Sequence, residues 1–144
     1  MMFNIKSHSV LFASKCAALC VLAAFCAVLG TFAHRMGAMY GFPYGLVIAL
    51  LLVTLSACFA RMLYGMFGFI LHAIVCCSVV WMIALGWFRV FGAFRGVLVA
   101  IGFGVDNLPW IAQNAGYFWL YGVIIAHAVL LCMPNKFFVV SDAK

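Results

Sequence analysis

Four apolar runs, each closed by a polar or charged break, set the pattern of this chain. The first, CAALCVLAAFCAVLGTFA over 16–33, follows Lys15 and stops at His34 and Arg35. The turn RMGAMYGFPYG leads to the second run, 43–60, with Pro43 placed where a proline suits the first turn of a helix. Arg61 ends that run, and RMLYGM leaves room only for a reversal. The third run, FGFILHAIVCCSVVWMIALGWF over 67–88, is therefore predicted to return antiparallel and form a helical hairpin with the second. The fourth covers 116–133 and stops before Pro134. About 20 apolar residues cross the hydrocarbon core as a helix. The pattern thus predicts an all-α integral membrane bundle of four transmembrane helices, one domain over 1–144. GVLVAIGFGV at 96–105 is too short to cross and reads as an interfacial or re-entrant segment before the last span.

Within these runs, finer spacings carry expectations of their own. Ala13, Ala17, Cys20, Ala24, Ala27 and Thr31 recur at steps of four and three, a seam of small side chains that lets backbones approach closely in lipid. Leu22, Phe25, Leu29 and Phe32 form a second, bulky line. Gly37, Gly41 and Gly45 are also four apart, but Pro43 interrupts any single helix through them, so turn chemistry is expected there. Trp110, Tyr117, Trp119 and Tyr121 crowd the start of the last span, as an interfacial aromatic belt would. Asn107 or Asn114 is placed to accept from unpaired N–H groups at that helix start, and Asp106 suits the positive end of its dipole. The first run exceeds the roughly 7 to 15 apolar residues of a signal-peptide core. Thr31 and Ala33 would satisfy a cleavage rule, yet a retained signal anchor is the expectation. Phe25 before Cys26 and Leu19 before Cys20 are too bulky for lipoprotein processing.

Composition strengthens the membrane assignment. Hydrophobic residues make up 70% of the chain and charged residues 7%, whereas a soluble domain is about half apolar and about a quarter charged. The net charge of +6 comes from cations that stand singly between apolar runs, which suits membrane flanks and not a nucleic-acid stripe. With four spans both termini share one side. That side holds Lys6, Lys15, Arg61, Lys136 and Lys144 against Arg35, Arg89 and Arg95, so the termini are expected in the cytoplasm of a bacterial cell. Arg61 and Arg89 are expected to snorkel to headgroups. The 7 cysteines are an odd number lying mostly in apolar runs, which argues against a disulfide framework, and the missing CxxC argues against a disulfide-forming enzyme.

No cofactor is called for, and no catalytic residue or metal site stands out. The one pair able to hold a haem or a metal ion, or to relay a proton, is His72 with His127. His72 lies near the start of the third run and His127 near the end of the antiparallel fourth, so both sit roughly 8 to 9 Å below one surface. Cys76 shares the helix face of His72, whereas His127 and Cys132 do not share one. Two imidazoles can equally serve as interhelical glue. No glutamate occurs, and no acidic residue lies within a span, which excludes carboxylate-coupled antiport of the small multidrug type. G-x-S-x-G, H-E-x-x-H and Walker A motifs are absent.

GFPYGLVIALLLVTLSACFARMLYG at 41–65, AIVCCSVVWMIALG at 73–86 and GYFWLYG at 116–122 together resemble the small four-span membrane proteins of unknown function found in actinobacteria. Shared features are the glycine and proline lead-in, an apolar run ending in Ala-Arg, a tryptophan in span three and a Gly-Tyr opening to span four. The resemblance covers the last two thirds of the chain, implies a four-span fold and, the family having no established activity, supplies no catalytic residues to carry over. It departs between spans three and four, where FRGVLVAIGFGVDNLPWIAQ replaces a short acidic, glycine-containing loop. The expected function is a non-enzymatic accessory or structural subunit that packs against itself or a larger membrane protein in the lipid bilayer. A small oligomeric transporter or channel and a haem-binding redox subunit are the alternatives.

Overall fold

The computed structural model describes residues 2–86 and 109–138. Helix α1 (Met2–Ala33), helix α2 (Tyr44–Ala84) and helix α3 (Trp110–Cys132) account for most of them, with single 3-10 turns at Ala38–Tyr40 and Asn135–Phe137. All three helices are long and apolar enough to cross a membrane. Helices suit such a sequence because each peptide group finds its hydrogen-bond partner within its own segment.

The second and third apolar runs form one element, α2, interrupted at one residue. Gly65 adopts φ 63 and ψ −153, outside the helical region and open to glycine because it has no Cβ. The chain doubles back there. Ser56 Oγ lies 3.0 Å from His72 Nε2, although sixteen residues of straight helix would separate them by about 24 Å. Ala49 and Val53 share one apolar cluster with Cys76 and Val80. Positions 49 and 80, and 53 and 76, are nearly equidistant from Gly65, as two antiparallel arms, 44–64 and 66–84, require. The turn is tighter than the RMLYGM linker suggests, because helix persists through Tyr64 and resumes at Met66.

Between α1 and α2, Gly37 and Gly41 take positive φ and make the expected turn. Gly45 departs from that role and lies inside α2, its Cα against the Ala33 carbonyl. Helix α3 starts at Trp110 after Pro109, earlier than 116, because Ala112 and Ala115 give it a small apolar face that packs on Ala38 of the turn. Asn114 is therefore inside the helix and donates to the Trp110 carbonyl at 2.8 Å, so it does not cap. Segment 96–105, Asp106, Asn107, Arg89 and Arg95 lie outside the described residues.

One core joins the three helices: Ala23 and Ala27 of α1, Ala49 and Val53 of the first arm, Cys76 and Val80 of the second, and Trp119, Leu120 and Val123 of α3. Directions alternate from segment to segment. Phe12 meets Phe67 with ring centroids 5.9 Å apart at the Gly65 end. At the opposite end Trp119 meets Thr31, and Arg35 donates to the Ala112 carbonyl at 3.5 Å. The early part of α1, Gly65 and the C-terminal end of α3 therefore share one end of the bundle.

Candidate functional site

His72 and His127, expected at one depth, are in direct contact. His72 Nδ1 lies 3.2 Å from His127 Nε2, and both rings are buried, at 0% and 6% exposure. Beyond the pair, His127 Nδ1 reaches the Val123 carbonyl at 2.8 Å, and His72 Nε2 reaches Ser56 Oγ at 3.0 Å. The rings tilt by 35° with centroids 5.4 Å apart, and Phe69 covers His127.

The Val123 carbonyl fixes the protons, because it can only accept. His127 therefore carries its hydrogen on Nδ1 and, when neutral, offers a lone pair at Nε2 to the Nδ1–H of His72. Neutral His72 in turn accepts from the Ser56 hydroxyl. A proton added at His72 Nε2 reverses that last bond, and Ser56 then donates to the Val53 carbonyl, 2.9 Å away. The chain of bonds can thus hold one proton but cannot pass it beyond Val123, since a backbone carbonyl does not relay.

Two imidazoles make an incomplete set for zinc, which takes three or four protein ligands. No group of three His, Cys, Asp or Glu residues stands together among the described residues. Cys76, on the His72 face, packs into the apolar cluster, and Cys132 is exposed. A haem would need its macrocycle between rings that already touch through a hydrogen bond. In this arrangement each imidazole serves the other.

Arg61 departs from expectation. Far from snorkelling outward, it is 4% exposed and turned into the bundle. Its guanidinium donates to the Leu130 carbonyl, to the Met133 carbonyl at 3.0 Å and to Asn135 Oδ1 at 2.8 Å. The Phe138 ring lies 4.0 Å from Cζ. The last carbonyls of a helix lack intrahelical donors and carry partial negative charge. Arg61 thus closes the end of α3 from the neighbouring helix. The register of Ala49, Val53 and Ala57 places Arg61 on the buried face, a signal present in the sequence that its position beside a chain break masks.

Near the opposite end, Trp119 leaves the expected aromatic belt. It is fully buried, donates from Nε1 to Thr31 Oγ1 at 3.2 Å and stacks against His34, with centroids 6.0 Å apart. Its spacing of four from Val123 and eight from His127 puts it on the core face. Trp110, Tyr117 and Tyr121 do face outward. Along α1, Ala27 and Thr31 of the small seam are buried and Cys20 and Ala24 half-buried, whereas Ala13 and Ala17 are exposed. Beside Ala27 and Thr31, the buried face of α1 is made by Leu19, Ala23, Cys26 and Gly30, continued by His34. This rotation follows from α1 having to touch both the α2 hairpin and α3.

Comparison with protein-family models, curated proteins and solved structures returned no match.

Proposed function

We propose that the chain is an integral protein of a bacterial cytoplasmic membrane, crossing it four times through α1, the two arms of α2 and α3, with both termini cytoplasmic. In that setting it acts as a non-enzymatic accessory or structural subunit. One observation carries this reading: among the described residues, each polar side chain buried in the bundle makes at least one bond to another side chain or to backbone, with His34 Nε2 and Arg61 Nε the buried atoms left over. Ser56, His72 and His127 join the α2 hairpin to α3, Arg61 ties its first arm to the end of α3, and Thr31 with Trp119 joins α1 to α3. Such bonds hold helices together where lipid gives no hydrophobic drive for association. The outer surface is apolar, with Phe25, Phe32, Ile48, Leu55 and Ile125 all at least half exposed. Exposed Ala13 and Ala17 leave the early part of α1 open to a closely approaching partner helix. The resemblance of 41–65 and 116–122 to actinobacterial four-span proteins supports the bacterial assignment.

Double-mutant cycles and reconstitution test this function. Alanine at His72 and at His127 should lower stability with a coupling of about 0.6 kcal/mol. Oligomer size should not change, and proteoliposomes of wild type and variants should pass no ions. Leucine at both Ala13 and Ala17 should abolish recovery of a partner or second copy at unchanged melting temperature. Proton or ion flux in the wild type that the histidine variants lose would establish the transporter alternative instead.

A further inference from the structure

We propose that the groove between α1 and the Gly65 turn binds one phospholipid with a negatively charged headgroup; this rests on the membrane assignment above. The groove encloses about 250 Å³ and is lined by Phe12, Lys15, Cys16, Leu19, Tyr64 and Phe67. Leu19 is buried at its floor, and the exposed Phe12 and Phe67 rings flank it. Those surfaces suit an acyl chain.

Position and charge select the headgroup. The groove opens beside Gly65, at the bundle end where α3 also terminates, so its mouth stands at headgroup level. Lys15 is the one charged residue among the described residues of the lining, with an alkyl stem able to lie along the apolar wall while its ammonium faces water. The sequence has 2 acidic residues, Asp106 and Asp142, and neither is among the described residues, so no described carboxylate balances Lys15. The nearby Arg61 guanidinium is committed to α3. A lipid phosphate supplies the missing negative charge. A zwitterionic headgroup would bring its own cation beside Lys15, so a net-negative lipid such as phosphatidylglycerol is the better partner.

The test is native mass spectrometry of the full chain from equal mixtures of phosphatidylglycerol and phosphatidylcholine. Wild type is expected to retain one phosphatidylglycerol with about fivefold preference, the effect of one lysine at a charged surface. Lys15→Gln should abolish the preference, and Cys16→Phe should fill the groove and reduce retention of both lipids. Lys136→Gln, at the same end but outside the groove, should keep wild-type preference. Should Cys16→Phe not fold, the exposed Lys15→Gln decides alone. Equal retention of the two lipids by wild type, unchanged preference in Lys15→Gln, or lost preference in Lys136→Gln overturns the site while leaving the membrane assignment standing. Release of the chain by alkaline carbonate overturns that assignment and the site with it.

Discussion

Replacing Trp119 with alanine is expected to destabilise the bundle by about 3 to 5 kcal/mol, measured by unfolding in detergent micelles. The indole is fully buried among residues from all three helices, and its Nε1 donates to Thr31. Removing it opens a cavity and leaves the Thr31 hydroxyl without that donor. The site is also matched in shape from the other side. A Cβ at Gly30 would collide with the six-membered ring of the indole, so Gly30→Ala is destabilising on its own. Combined with Trp119→Leu, the same substitution should recover part of the loss. Strictly additive costs would show that the two positions do not interlock.

Arg61→Ala should cost at least about 3 kcal/mol, because hydrogen bonds from a charged group contribute about 1.5 to 3 kcal/mol each and three are lost. The Leu130 and Met133 carbonyls would be left without the guanidinium. Arg61→Lys should restore only part of the stability, since an ammonium lacks the planar fork that reaches all three acceptors. Hydrogen exchange should locate the damage in the last turn of α3. An Arg61→Ala protein that melts like the wild type would return Arg61 to the role of a headgroup anchor.

Much of this architecture is legible in the residues, and the gaps have physical causes. A short linker between the second and third runs implies antiparallel helices, and a constant rise per residue then sets the depths of His72 and His127. Contact between them depends on rotation about the helix axes, which linker length does not fix. Trp119 and Tyr121 look alike by position, since both lie among aromatics near the start of the last run. Only the register with Val123 and His127 separates the one that packs from the one that faces outward. Arg61 misleads for a related reason: arginine at the end of an apolar run ordinarily reaches for water, and its partners Leu130 and Met133 are distant in sequence. The small seam of α1 identifies a helix suited to close packing, but the neighbours determine which edge of it is used.

The back-folding of α2 at Gly65 underlies the histidine contact, the Arg61 cap and the lipid groove alike. Spin labels at the exposed positions Val47 and Met82, introduced in a cysteine-free background in lipid nanodiscs, report on it through pulsed dipolar distances. Two packed antiparallel arms place these labels within about 20 Å of each other. A distance near 50 Å, the length of uninterrupted helix between them, would contradict the fold and everything derived from it.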